Sequence, residues 1–388
     1  MRILIVAPTP FFSDRGCHIR IYENTKILQG FGYDVLICTY HHGRDISGVR
    51  IKRIPYLTWY RKVEVGASWH KVYLDLILLV KTVWESIRFK PEIIYAYLIE
   101  GALIGYIASR LLRIPVIYDI QGIAAVELLE QGFIKSIALS NILKRFEMKL
   151  LGLADAVICN TFALAEKLKN KTNKEKVYLV RDMINSNNYA KARENRNERR
   201  ERLGIRSETV VIYTGYFSKL HGIDMLLDAA SLVVKKKIDN IRFVLIGYPE
   251  VQYRKMVTEL GLEEKFIFIG RVSYEELPDY LSIGDVAISL KISATEGHGK
   301  LYHYLAAGLP TILYDTPVNH EIMGEAGLFV KTSSAEEVAN AIILLLSDEK
   351  LRERLKNETI MRANLIKNCY YEDSCQMDHA IKSVLRER

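Results

Sequence analysis

The chain has 388 residues, of which 49% are apolar and 26% charged; it is too long for one ordinary core and too apolar for a disordered segment, so two or three globular domains are expected. Its five cysteines (Cys17, Cys38, Cys159, Cys369, Cys375) show no CxxC pair and no Cys/His metal spacing, which argues against a zinc module or a disulfide scaffold and for free thiols in a reducing compartment. The net charge of +8 lies in the first half, where residues 1–190 hold 26 Lys and Arg against 17 Asp and Glu.

The apolar start, Ile3 to Ala7, is too short for a signal peptide and reads as a first β-strand. Further strands are expected at Asp34 to Thr39, Ile93 to Tyr97, Val116 to Tyr118 and Ala156 to Cys159. Helices are expected at His18 to Gly30, Trp69 to Phe89, Glu100 to Leu112 and Ile137 to Leu151. The longest apolar region, Val72 to Val83, contains Asp75 and Lys81 and falls short of a membrane span.

Three features of this half carry chemistry. The junction after the first strand, Pro8 to His18, places Gly16 before a helix, with Arg15, His18 and Arg20 as cations for a phosphate. It lacks GxGxxG, so a dinucleotide is not expected, and a purely structural turn remains open. Between Arg44 and Lys71, the cations Arg50, Lys52, Arg53, Arg61 and Lys62 interleave with Trp59, Tyr60 and Trp69. That pattern suits an anionic membrane surface; a solvated basic face is the competing reading, and no nucleic-acid module accompanies it. After the fourth strand, Tyr118-Asp119-Ile120-Gln121-Gly122 sets polar groups at a strand's carboxyl end, to touch a ligand or to cap a turn.

Residues 189–206 are charged and read as a linker between a first domain of residues 1–188 and a second of 207–365. The second series runs through strands Thr209 to Gly215, Arg242 to Gly247, Phe266 to Gly270, Val286 to Leu290 and Thr311 to Tyr314. Helices alternate with them at Ile223 to Lys237, Glu250 to Leu260, Tyr274 to Ser282, Lys300 to Ala307 and Ala335 to Leu346. A long helix from Glu349 to Val384 closes the chain, and 366–388 is expected to return to the first domain. The fold class is therefore α/β, with two Rossmann-like βαβ domains facing a central cleft.

In the second domain, Phe217, Lys219 and His221 lie in the loop after its first strand, where the two cations suit a diphosphate and a solvent-facing lysine is the alternative. Arg271 and Val272 follow a strand and are placed to meet a nucleobase edge. The richest segment is Thr295-Glu296-Gly297-His298-Gly299-Lys300-Leu301, opening a helix that ends at Gly308. Its glycines permit close approach, its helix start attracts phosphate, and Glu296 and His298 add groups for sugar hydroxyls.

Taken together, the Gly16 loop, Tyr213-Thr214-Gly215 through Asp224, Ile246-Gly247, Gly270-Arg271-Val272-Ser273 through Val286, and Glu296-Gly297 through Pro310 resemble the family-4 (group 1) retaining glycosyltransferases of the GT-B fold, over essentially the whole chain. The resemblance implies a transferase moving a sugar from a UDP-, GDP- or ADP-linked donor to a glycan or lipid-linked acceptor, with no cofactor beyond the donor and no metal. It implies that the second domain holds the donor and the first the acceptor. Glu296 and Gln121 then stand at the catalytic centre. Arg15, Gly16, Phe217, Lys219, His221, Arg271, Val272, Gly297, His298, Gly299, Lys300, Leu301 and His303 contact the donor. The implied setting is cytoplasmic, with peripheral membrane contact through residues 44–71 and no nucleic acid.

The chain departs from the family pattern at Tyr216 and His221, where Arg and Lys are usual, and at Gln121, where a histidine is usual. The usual second glutamate falls on His303 when the helix is anchored at Gly308, and on Tyr304 when counted from Glu296. These changes keep a second reading in play, a degenerate homologue that binds a sugar nucleotide or serves as a partner subunit. A sugar-nucleotide epimerase would need an acid–base carboxylate pair, and none is evident.

Overall fold

The computed structural model describes residues 1–60, 68–130, 132–171, 173–184, 186–291, 296–331 and 334–386. The chain forms two units, one of residues 1–183, 295–297 and 370–388 and one of residues 184–294 and 298–369.

The first unit alternates strand and helix as β1 (Arg2–Ala7), α1 (Gly16–Gly30), β2 (Asp34–Thr39), β3 (Arg50–Arg53), α2 (His70–Phe89), β4 (Ile93–Tyr97), α3 (Leu98–Leu112), β5 (Val116–Ile120), α4 (Ala124–Glu130), α5 (Ile137–Leu153), β6 (Ala156–Cys159), α6 (Phe162–Lys169) and β7 (Val177–Leu179). The strands form one parallel sheet in the order β3-β2-β1-β4-β5-β6-β7. Its central strands are buried on both faces, hence their unbroken apolar runs. Right-handed crossovers put α1 on one face and α2, α3, α5 and α6 on the other.

The second unit contains α7 (Asn187–Glu194), α8 (Arg196–Arg202), β8 (Thr209–Tyr216), α9 (Ile223–Lys235), β9 (Ile241–Tyr248), α10 (Val251–Glu259), β10 (Phe266–Gly270), α11 (Leu277–Leu281), β11 (Val286–Ser289), α12 (Gly299–Ala307), β12 (Thr311–Tyr314), α13 (Pro317–Met323), β13 (Gly327–Val330) and α14 (Ala335–Ser347), followed by α15 (Glu349–Arg386). Its parallel sheet has the order β10-β9-β8-β11-β12-β13. The strand order reverses between β8 and β11, the place where open α/β sheets bind ligands at strand carboxyl ends.

The charged stretch read as a linker is helical, and α8 is held by specific pairs. Arg196 Nη2 donates to Asp285 Oδ1 at 2.5 Å and Arg200 Nη1 to Asp285 Oδ2 at 3.1 Å. The final part of α15 completes the first unit: Met377, Ala380 and Ile381 are fully buried, Tyr33 donates to Asp378, and Arg181 pairs with Asp373 at 2.8 Å.

The basic stretch at 44–71 differs from its expected form. Arg50–Arg53 is edge strand β3, and Tyr60 is buried. Arg44 pairs with Asp14 at 2.7 Å, Arg50 with Asp34 at 2.6 Å, Arg53 with Asp45 at 2.8 Å and Lys71 with Glu100 at 2.6 Å. Arg61 and Lys62 lie outside the described residues. Four cations of the stretch thus have carboxylate partners within the unit, and the charges on edge strand β3 guard it against pairing with another chain.

Candidate active site

In the second unit the site grows from the carboxyl ends of β8 and β11. Gly222, at φ +78°, follows the loop after β8, and any Cβ there would overlap Leu290. Only glycine lets this loop press against the end of β11. The helix α12 begins at Gly299, and Gly308 ends it in the left-handed conformation. Tyr304, inside α12, accepts from Thr214 N at 2.9 Å and donates to Ile288 O at 3.3 Å, which locks the helix to β8 and β11.

That lock sets Lys300 Nζ 4.1 Å from the centre of the Tyr213 ring. The stem is partly exposed, but the ammonium is enclosed and has no hydrogen-bond partner among the described residues. Burial and then the nearby Lys291 lower its pKa from 10.5 to about 7. His298 is buried; its Nδ1 meets Asn319 Oδ1 at 2.9 Å, and its Nε2 has no partner among the described residues. His221 Nδ1 meets Ser218 Oγ at 2.7 Å. Both imidazoles are held well below their ordinary value, first by burial and then by the charges of Lys291 and Lys300. Basic groups crowd together here, and what they need is an anion.

Beside this cluster lies an aromatic corner. The Arg271 guanidinium stacks 3.7 Å from the centre of the Tyr248 ring. Tyr216 meets Tyr248 edge-on at 5.4 Å and His221 at 6.0 Å. Val272, Gly297 and Gly299 are half-buried and Lys219 is exposed.

Other expected contacts are structural. Phe217 packs in the core against Tyr213, Tyr253 and Phe268, and Leu301 is fully buried. Both are apolar side chains with a core to fill, so neither side chain is free to meet a ligand. His303 is buried and shares a hydrogen bond with Tyr189 at 2.5 Å; burial lowers its pKa to about 4. It is therefore neutral and already engaged.

In the first unit, Gly16 opens α1 with empty space where a Cβ would stand. Arg15 Nη2 lies 3.4 Å from Thr9 Oγ1. His18 is fully buried, accepting at Nδ1 from Ser13 N at 2.9 Å and bonding Thr9 through Nε2. Arg20 faces inward, donating to both oxygens of Asp119 at 2.9 and 3.0 Å and to Asp182 at 2.8 Å. The cations expected to meet phosphate at 18 and 20 thus hold the protein together instead. Gln121 is half-buried and donates to Cys17 Sγ at 3.7 Å, and burial pushes the Cys17 thiol up to about 11. Glu296 groups with this unit, its Cγ 3.3 Å from where a Cβ on Gly122 would stand. Glu296 and Gln121 are thereby neighbours through Gly122.

Sequence reasoning missed Lys291, Asn319 and Tyr189, and it met Tyr304 only as a slot for the usual second glutamate. Tyr304 follows Lys300 by one helical turn, a usable signal; nothing in sequence spacing links Asn319 to His298. Among the described residues no three His, Cys, Asp or Glu side chains gather as a metal ion would require.

Two parallel-sheet Rossmann-like units are the architecture of the GT-B fold. Over the full length of both chains the fold matches sucrose-phosphate synthase from Thermosynechococcus elongatus, with a TM-score of 0.82 at 17% identity. It also matches HepE of Anabaena, solved in complex with UDP-glucose, with a TM-score of 0.76 at 17% identity over 98% of this chain and 100% of that one. Residues 15–180 match the family described as glycosyl transferase 4-like domain, and residues 195–362 match glycosyl transferases group 1. The chain belongs to the group 1 glycosyl transferases. Among curated relatives, alpha-D-kanosaminyltransferase of Streptomyces kanamyceticus is 24% identical over 66% of this chain and 67% of its own length.

Proposed function

We propose that the protein transfers a sugar from a nucleotide-sugar donor to a glycan or lipid-linked acceptor with retention of anomeric configuration, without a metal, in the cytoplasm or on the inner face of the cell membrane. The observation that carries this reading is the enclosed Lys300 ammonium, without a hydrogen-bond partner among the described residues, with His298 and His221 around the start of α12. Helix N–H groups and a cation together suit a diphosphate. As the glycosidic bond breaks, negative charge grows on the leaving diphosphate, and this cluster stabilises it. Glu296 then holds sugar hydroxyls, while Arg271 and the Tyr216–Tyr248 corner meet the nucleoside. Retention follows if the leaving phosphate oxygen itself takes the acceptor proton, which leaves positioning as the main task of the side chains.

One observation favours a second reading. The slot that usually carries a ribose-binding carboxylate holds a neutral, engaged His303, as in a homologue that binds without chemistry. Incubation with UDP-, GDP- and ADP-sugars separates the two. Turnover of one donor supports the transferase, and binding without turnover supports the degenerate homologue; if no donor is bound or turned over, both readings fail.

A further inference from the structure

Helix α2 is apolar on two opposite sides. One side, with Leu74 and Leu78, packs on the sheet against Leu4, Val6 and Leu36. The other carries Val72, Leu76, Val80, Trp84 and Ile87, spaced by four, four, four and three residues and each 57% to 69% exposed. A soluble helix normally turns charges outward at these positions. No helix among the described residues is long and apolar enough to cross a membrane, so the stripe is not a span.

The same layer continues the pattern. α3 packs beside α2 and α5 beside α3, and α5 turns Ile137, Leu139, Ile142 and Phe146 outward, each at least 43% exposed. The Trp69 ring, at the start of α2, meets Phe133, just before α5, at 5.8 Å. All three tryptophans of the chain, Trp59, Trp69 and Trp84, are exposed. At the edge of the α5 stripe an open groove of about 450 Å³ is lined by Asn141, Lys144, Arg145, Met148 and Lys171. Burial and the charges of Lys144 and Lys171 hold the nearby Lys167 ammonium below its ordinary range, so cations crowd on this rim.

We propose that the outward faces of α2 and α5 dock on a bilayer containing anionic lipids, with the apolar stripes, Trp69 and Trp84 at the headgroup boundary and the Lys144, Arg145 and Lys171 groove taking lipid phosphates. An in-plane apolar face with cationic flanks is the physical form of an interfacial contact, and exposed tryptophans suit headgroup depth. An anionic bilayer satisfies both parts of the surface. A second copy of this chain offers the stripes but brings the same cations with it. The contact therefore lies on helices and does not depend on the paired arginines of residues 44–53.

The full chain should sediment with vesicles of phosphatidylcholine and phosphatidylglycerol, and not with phosphatidylcholine alone, and its tryptophan emission should shift to the blue on binding. V80E/W84E should abolish sedimentation. K144E/K171E should weaken it by about 25-fold or more, at roughly fivefold per cation removed, with a reduced salt dependence. Melting curves and UDP binding check that each variant is folded, and quenching of the unaltered chain by bromine-labelled lipid reads the contact without any variant. Absent vesicle binding, binding indifferent to phosphatidylglycerol, or equal binding by V80E/W84E overturns the proposal. So does a dimer in sedimentation velocity that V80E/W84E dissociates, because a second copy then covers the face. Vesicle binding needs no sugar nucleotide, so its failure and a failure of donor turnover are separate results.

Discussion

The Tyr189 hydroxyl and His303 Nδ1 share a hydrogen bond at 2.5 Å inside the second unit, joining α7 to α12. The bond makes His303 a fastener for the helix whose first turn carries Lys300. Tyr189→Phe should lower stability by about 1–2 kcal/mol, the cost of leaving one buried polar group unpaired, and should leave UDP affinity unchanged. Melting and calorimetric titration check this, and a large loss of affinity with intact stability would show that His303 binds ribose after all.

Lys300 gives a signed prediction in pH. In the unfolded chain its ammonium holds a proton up to about 10.5, and in the folded protein only to about 7. Between these values the unfolded state binds more protons, so this group's penalty is full below about 7 and fades as pH rises toward 10.5. Lys300→Met should therefore stabilise the ligand-free protein near neutral pH and flatten the rise in stability above it. A bound diphosphate draws the proton back, so UDP affinity should fall as pH increases above about 7. In Lys300→Met affinity should drop by about 1.5–3 kcal/mol, the worth of a charge-assisted bond, with little pH dependence left. Titrations at several pH values decide it.

Asp119 and Arg20 form a buried pair, their side chains 0% and 2% exposed. Asp119→Ala removes the two-oxygen partner of Arg20, which keeps Asp182 and the Val180 carbonyl, and also the acceptor of the Tyr95 hydroxyl, so it should cost about 3 kcal/mol. Because neither group is placed to touch a ligand, turnover per folded molecule should persist. A selective loss of turnover at unchanged melting temperature would reassign the pair to the site.

Glu296→Ala should reduce donor turnover sharply while the melting temperature stays close to that of the parent protein. Nucleotide binding should survive, since the carboxylate is proposed to hold the sugar. Unchanged turnover would remove Glu296 from the site.

The parallel fold is legible in the sequence because strands such as Ile93–Tyr97, covered on both faces, must be apolar throughout. The short edge strand Arg50–Arg53 has no such demand, and its charges read instead as a docking patch. Glycines and a helix start mark α12 plainly in sequence. The enclosure of Lys300 above Tyr213 depends on how α12 and β8 meet, which no local spacing encodes. His18, Arg20 and Phe217 look like ligand contacts because they stand in loops or first helical turns after strands. Arg20 and Phe217 are buried by partners distant in sequence, Asp119 and Asp182 for the one and Tyr253 and Phe268 for the other, whereas His18 is held by Thr9 and Ser13 of its own loop.

The segment 370–386 supplies buried side chains to the first unit, including Met377, Ala380 and Ile381. During synthesis these residues emerge from the ribosome only after the whole second unit has been made. The first unit, although translated first, cannot close its core on the nascent chain; the order of completion is the reverse of the order of translation. Until then the apolar ground that these residues cover near Tyr33 and Tyr178 stays open, and a chaperone or premature aggregation competes for it.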